Sequence, residues 1–160
     1  MPSPAVGLAG FPALLIDRGL MSRNDVAVAE PHAVREHMEL ADALVALGVV
    51  SEADCYATLA AAAGADLVAL DDAGSSELAV RLVPERLARR HLVVPLQVDN
   101  RTLTYATCRP FSAEAERDLV FASGRRTRLL VATRSDVLEA LNRCYPRLRE
   151  LDVLVDRLRA

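Results

Sequence analysis

Apolar residues recur at helical spacing through the first 64 residues and predict a run of four short helices. The helices are predicted over residues 11–18, 22–30, 32–47 and 52–63. Prolines and glycines crowd the stretch before them, so residues 1–10 are expected to be a flexible leader. The third helix is expected to begin after Pro31, which should stop or kink the second one. Its predicted apolar stripe comprises Val34, Met38, Leu40, Leu44 and Leu47.

Two stretches of this helical part echo each other at an offset of 29 residues. Gly19 aligns with Gly48, and Ser22 aligns with Ser51. A glycine can end a helix in the left-handed conformation, and a serine can cap the helix that follows. A period of this length is typical of repeated supersecondary units that share a core. We therefore predict a tandem helical repeat over residues 11–64.

From residue 65 onward the pattern changes to short strands mixed with helices. Residues 91–98 and 102–108 are rich in β-forming residues and are separated by Asp99-Asn100, which predicts a hairpin. Pro95 confines the first of these strands to a sheet edge or a bulge. A third strand is predicted over residues 128–132.

The remaining segments complete an α+β fold, with about four N-terminal helices followed by a small three-stranded sheet covered by helices. Residues 66–70 are read either as a strand or as an extended connection. Helices are predicted over residues 76–82, 84–90, 112–122 and 135–144. The α+β subdomain is expected to span residues 65–145, and residues 146–160 are read as an amphipathic helix or a linker.

Composition excludes several classes of function. All 19 basic residues are arginines, so neither a P-loop lysine nor a Schiff-base lysine is available. A net charge of −3 with 4% aromatic residues argues against nucleic-acid binding. Neither a membrane span nor a secretory signal is recognisable, so we predict a cytoplasmic protein without direct membrane insertion.

The cysteines and histidines suggest no metal, cofactor or catalytic residue. Cys55, Cys108 and Cys144 are far apart, and the first and last fit apolar helix faces. His32 and His37 are five residues apart, a poor spacing for chelation from one helix. His91 is a candidate acid–base group, but no motif implies a companion carboxylate. We predict a chain that is not an enzyme.

Clustered arginines are the candidate contact residues. Arg125, Arg126 and Arg128 surround the turn into the third predicted strand. A second cluster, Arg86, Arg89 and Arg90, lies on one predicted helix. Each cluster is either a solvated face or a docking site for an acidic partner or a phosphate, since guanidinium groups bind both bidentately.

The order of elements resembles the N-terminal domains of the assembly ATPases of type II secretion and type IV pilus extension. The resemblance covers about residues 11–145. Its motifs here are Leu40-Ala41-Asp42, Gly48-Val49-Val50-Ser51, Gly64-Ala65-Asp66-Leu67, Val83-Pro84-Glu85 and Val93-Val94-Pro95-Leu96. The resemblance implies a regulatory module that docks to a protein of the secretion or pilus machinery, such as the cytoplasmic region of an inner-membrane platform protein or a motor subunit. Such a partner would hold the chain either in the cytoplasm or peripherally at the inner membrane. In full-length relatives a catalytic ATPase domain follows, so the chain is read either as a stand-alone module or as an N-terminal piece.

Some members of this family bind cyclic di-GMP on the tandem repeat, through an arginine before each Leu-Gly and a glutamine near the end of each copy. The arginine positions correspond here to Gly10 and Glu39, and the glutamine positions to Ala33 and Ala62. A carboxylate at position 39 would repel an anionic dinucleotide. The resemblance therefore offers cyclic di-GMP as the alternative ligand, with Arg18 or Arg35 as substitute contacts.

Overall fold

The computed structural model describes residues 7–71, 74–146 and 157–158. Within these ranges it contains eight helices and three strands, and it confirms the predicted α+β class. In chain order these are α1 Gly7–Asp17, α2 Arg23–Arg35, α3 Leu40–Ala46, α4 Glu52–Ala63, α5 Glu77–Leu82, α6 Glu85–His91, β1 Val93–Val98, β2 Thr102–Thr107, α7 Ala113–Ser123, β3 Arg126–Val131 and α8 Arg134–Cys144. The predicted C-terminal helix or linker falls largely outside the described residues.

The first four helices form two helix–turn–helix units with the same turn. Gly19 and Gly48 adopt φ values of 72° and 71°, which favour glycine. After each glycine, the next backbone N–H donates to a carbonyl five residues earlier at 3.0 Å. Ser22 and Ser51 then cap α2 and α4, each accepting an aspartate N–H at 3.2 Å. The two sequence stretches that match at an offset of 29 residues therefore form the same turn, with the same hydrogen bonds.

The predicted helix boundaries around Pro31 are wrong. Pro31 lies inside α2, which continues to Arg35, and the break falls at residues 36–39 instead. There His37 takes a left-handed φ of 53°, and the Met38 N–H donates to the carbonyl of Ala33 at 2.9 Å. The helix passes Pro31 because packing of the fully buried Ala29 outweighs the loss of one backbone hydrogen bond. Val34, placed in the apolar stripe, is 75% exposed.

Three further boundaries differ from the predicted ones. α1 begins at Gly7, so the last residues of the predicted flexible leader are helical and extend α1 one turn ahead of the buried Phe11. β3 begins at Arg126, two residues before the predicted start, which puts Arg126 and Arg128 within a strand. Pro84 is the N-cap of α6 and lies just before its first helical turn.

The sheet has the order β1-β2-β3. β1 and β2 form the predicted antiparallel hairpin, and β3 runs parallel to β2 after the crossover through α7. The register shifts between Pro95 and Gln97, so Pro95 lies at a bulge in an edge strand, where its missing N–H costs little. Residues 66–70 are an extended connection with a single parallel bridge, between Leu67 and Val131.

One contiguous core runs through both halves of the chain. It extends from Phe11 and Leu15 in the first helix, through Tyr56 in α4, to Leu103 in the sheet and Leu141 in the last helix. α4 packs on α1 and α3 and also contacts β3. The helical repeat is therefore held against the sheet by burial of apolar surface.

Candidate functional site

A cleft of about 400 Å³ opens between the helical repeat and the α+β half. Its apolar wall includes Leu8, Phe11, Leu40 and Leu59, and its polar wall includes Glu39, Arg90, His91, Arg109, Ser112 and Glu114. These residues come from both halves of the chain and meet only in the folded protein. An apolar wall faced by several charged groups is typical of a ligand-binding site.

Arg109 carries an unsatisfied hydrogen-bond donor in this cleft. Its Nε is buried and has no hydrogen-bond partner among the described residues. The nearest carboxylate oxygen, Oε1 of Glu39, is 3.8 Å away, close enough for electrostatic attraction and too far for a hydrogen bond. A buried N–H left without a partner is costly, so a shift of the Arg109 side chain that turns Nε toward an acceptor bound in the cleft would be favourable.

His91 has the carboxylate partner that no sequence motif implied. Its Nε2 lies 2.8 Å from Oδ2 of Asp118. Glu114, one helical turn before Asp118, is paired with Arg90 at 2.7 Å. The His91 side chain is 7% exposed and lines the cleft, whereas the Asp118 side chain is 40% exposed and lies outside the cleft lining.

The cysteine of the cleft is not activated. Burial, followed by the charge of Asp42, raises the pKa of the Cys108 thiol to about 11. Burial raises the pKa of the neighbouring Cys55 thiol to about 12. Both sulfurs are therefore protonated at neutral pH, whereas a nucleophilic cysteine needs a lowered pKa.

A second surface, the polar sheet face, lies on β2, β3 and the end of β1. Thr102 is paired with Arg126, and Thr104 is paired with Arg128 and, on its other side, with Gln97. Side chains of directly paired residues point to the same side of a sheet. Arg126 and Arg128 are exposed, and neither forms an ion pair within the described part of the chain.

The other predicted contact residues are dispersed. Arg125 donates from Nε to the carbonyl of Asp99 at 2.8 Å and from Nη1 to the carbonyl of Ser123 at 2.7 Å. Arg18 donates to Oγ1 of Thr58 at 3.2 Å, between the first turn and α4, and Arg35 is exposed on α2. The structure thus keeps Arg126 and Arg128 together and leaves Arg18 and Arg35 on the helical repeat.

Sequence inspection missed the cleft because its members are remote along the chain. Glu39 and Arg109 are 70 residues apart, and His91 and Asp118 are 27 apart. One local feature could have indicated Arg109: it directly follows a predicted strand and precedes Pro110. Loops that begin at the end of a strand often carry binding residues.

This α+β fold with a helical repeat at its N-terminal side is that of an MshEN domain. The MshEN domain family matches residues 63–151, over half of the chain, so the chain belongs to that family. The match begins at the last residue of α4 and rests on the α+β half. The predicted resemblance to the N-terminal domains of secretion and pilus ATPases is thereby confirmed.

The chain is 29% identical over 132 residues to the type IV pilus assembly ATPase PilB of Myxococcus xanthus strain DK1622. That match covers 82% of this chain and 23% of PilB, so the chain spans about a quarter of this relative's length.

Solved structures share the fold beyond the α+β half. A structure of MshE with cdg, cyclic di-GMP, superposes with a TM-score of 0.74 at 24% identity, covering 84% of this chain and 98% of that one. The N-terminal domain of XpsE gives a TM-score of 0.70 at 24% identity, covering 89% and 98%. Within the described ranges, none of the helices is long and apolar enough to cross a bilayer.

Proposed function

We propose that this chain is a non-catalytic regulatory module that works in the cytoplasm and docks to a protein of a type II secretion or type IV pilus machine. The observation that carries the proposal is the pair Arg126 and Arg128, exposed on an edge strand without ion-pair partners among the described residues. Two uncompensated guanidinium groups on a protein of net charge −3 favour an acidic partner surface. Membership of the MshEN domain family, and similarity to a pilus assembly ATPase, support the choice of machine.

The polar sheet face also has an apolar neighbour. A cleft of about 300 Å³ beside Arg128 is lined by Leu70, Leu96 and Leu130, together with polar residues that include Asp71 and Gln97. Interfaces commonly combine a buried apolar anchor with charged groups at the rim. The expected partner therefore presents an apolar side chain flanked by carboxylates.

The docking proposal is tested by titrating this chain with the cytoplasmic region of an inner-membrane platform protein from the same organism. Arg126→Glu/Arg128→Glu should weaken binding by about tenfold or more, because two attractive contacts become repulsive. Arg23→Glu/Arg81→Glu makes the same charge change on exposed residues elsewhere and should leave binding nearly unchanged. Equal loss in both double variants would point to net charge alone, and absence of binding to secretion or pilus components would contradict the proposal.

A second candidate function, a cyclic di-GMP receptor, is favoured by the unpartnered Nε of Arg109. The cleft that Arg109 lines is also lined by Glu39, Leu40 and Ala41, the opening of the second repeat copy. Arg109 thus supplies a cation beside Glu39, where the ligand-binding relatives are expected to carry an arginine. The structural relative MshE was solved with cdg.

Calorimetry with cyclic di-GMP separates this candidate from the first. If the cleft binds the dinucleotide, Arg109→Ala should weaken binding by about tenfold, and Glu39→Arg should strengthen it by removing a repulsive carboxylate. Arg18→Ala and Arg35→Ala test the alternative contacts on the helical repeat. No heat signal with either the natural chain or Glu39→Arg would rule out this candidate.

A further inference from the structure

Three side chains with metal-ligating atoms converge where α6 ends and α7 begins. One ligand atom each from His91, Glu114 and Asp118 lies within 4.8 Å of the other two. Glu114 and Asp118 are one turn apart on α7, so both carboxylates face the same side of that helix. His91 comes from the last turn of α6, which makes the cluster a product of the tertiary structure.

The supporting backbone holds these three groups in place. His91 is followed by Leu92 in the left-handed conformation, whose carbonyl accepts a hydrogen bond from Oγ1 of Thr107 at 2.9 Å. α7 is fixed at its start by Ser112, which accepts the N–H of Ala115 at 3.1 Å. A metal site requires its ligands on rigid elements, and both helices here are anchored next to the sheet.

The donor set suits a divalent transition metal. One imidazole nitrogen with two carboxylate oxygens matches the ligands of Zn²⁺, and the two negative charges balance the ion. His91 Nε2 and Asp118 Oδ2 are 2.8 Å apart, which is a hydrogen-bond distance. Two ligands of a tetrahedral Zn²⁺ lie about 3.3 Å apart, so this pair must open by about 0.5 Å to admit the ion. His91 and Glu114 also line the 400 Å³ cleft, which leaves an open side for water or a further ligand.

Arg90 competes with a metal for Glu114. Its Nη2 lies 2.7 Å from Oε1 of that carboxylate, but the Arg90 side chain is 64% exposed and can turn into solvent. An exposed ion pair of this kind contributes little stability. The pair therefore reduces metal affinity without blocking the site.

We propose that His91, Glu114 and Asp118 form a binding site for a divalent transition metal, best suited to Zn²⁺, and that Arg90 is its built-in competitor. The site differs from the polar sheet face, so the inference is independent of the docking proposal. A metal there would join α6 to α7 and fix the cleft rim beside Arg109.

The site is tested by titrating the chain with Zn²⁺ in a calorimeter and with Co²⁺ by absorption spectroscopy. His91→Gln and Asp118→Asn should each weaken binding by about tenfold or more. Arg90→Ala should strengthen binding by about threefold, because it frees Glu114. The matched controls are His32→Gln, at a half-exposed histidine on α2, and Glu116→Gln, at an exposed carboxylate on α7; both should leave the affinity unchanged.

Three results would overturn the proposal. The first is that the natural chain binds neither Zn²⁺ nor Co²⁺. The second is that Arg90→Ala and Asp118→Asn bind the metals with the same affinity as the natural chain. The third is that bound Co²⁺ shows the near-ultraviolet charge-transfer band of a thiolate ligand. The last result would place the metal on cysteine. Asp118 and Arg90 are partly exposed, so their variants keep the test valid even if substitution at the buried His91 impairs folding.

Discussion

At the scale of single residues, buried thiols set the alkaline behaviour of the protein. Cys55 is fully buried and Cys108 is 5% exposed. Burial raises the pKa of these thiols from 9.0 to about 12 and about 11, and the carboxylate of Asp42 adds to both shifts. Both groups stay protonated in the fold at a pH where the unfolded chain has already lost its protons.

We predict that the free energy of unfolding is independent of these thiols below about pH 8 and falls as the pH rises above 9. The unfolded thiols ionise near pH 9, so unfolding then releases protons, and each thiol should cost about 1 kcal/mol between pH 9 and pH 10. Urea denaturation at pH 8, 9 and 10 measures the effect. In Cys55→Ala/Cys108→Ala the decline should begin only near pH 10, where buried tyrosines such as Tyr105 take over. An equally steep fall in that variant would contradict the assignment.

At the scale of elements, the turns between helices depend on left-handed residues. Gly48 has φ 71°, and a Cβ added there would meet no atom within 4 Å. His37, which follows the end of α2, adopts the same left-handed backbone conformation, with φ 53°, and is exposed. The first position has the residue its backbone prefers, and the second does not.

Opposite substitutions at these two positions should therefore have opposite effects. Gly48→Ala should lower the free energy of unfolding by about 1 kcal/mol, purely through backbone strain, because nothing crowds the new methyl group. His37→Gly should raise it by up to about 1 kcal/mol by relieving the same strain. Denaturant midpoints at pH 7 give both values, and a change of the same sign in both variants would be inconsistent with the argument.

At the scale of the whole molecule, Asp42 joins the helical repeat to the α+β half. This carboxylate of α3 accepts the hydroxyl of Tyr56 in α4 at 2.6 Å and Nη1 of Arg134 in α8 at 2.9 Å. Its side chain is 9% exposed. A second contact, from the hydroxyl of Ser135 to Glu52 at 2.7 Å, lies nearer the surface.

Asp42→Asn should lower the free energy of unfolding by about 2 kcal/mol, less than for a fully buried pair because Arg134 is 41% exposed. Glu52→Gln, which alters the outer contact, should change the free energy of unfolding by no more than about 0.5 kcal/mol.

Since one core spans both halves, far-ultraviolet circular dichroism and tyrosine fluorescence should report one coincident transition in the natural chain. Two separated transitions would show that the halves unfold independently.

Most of the turns and strands could be predicted from local sequence rules. The Gly19 and Gly48 turns, the hairpin and the bulge at Pro95 each depend on residues close in sequence, so spacing and turn chemistry suffice to find them. The error at Pro31 arose because burial of Ala29 and Ala33 sustains α2 through a residue that local rules treat as a breaker. Tertiary packing outweighed propensity there.

Of the candidate sites, the arginine cluster could be found from the sequence, whereas the cleft and the metal-ligating cluster could not. Sequence clustering pointed to Arg125, Arg126 and Arg128 at the turn into the third strand. The structure places Arg126 and Arg128 inside β3, where neighbours at i and i+2 share a face. Sequence clustering could not find Arg109 beside Glu39, or His91 beside Glu114 and Asp118, since no periodicity links residues that distant.

The α+β class and the helical repeat can be predicted from the amino-acid sequence alone, because hydrophobic period, glycine turns and serine caps act within a few residues of themselves. The order of the motifs was enough to indicate the family. Folding determines where α2 ends, which side chains surround the cleft and which arginines lack an ion-pair partner within the described part of the chain. Those outcomes depend on burial and on charges brought together from remote elements, and such energies exist only once the chain has folded.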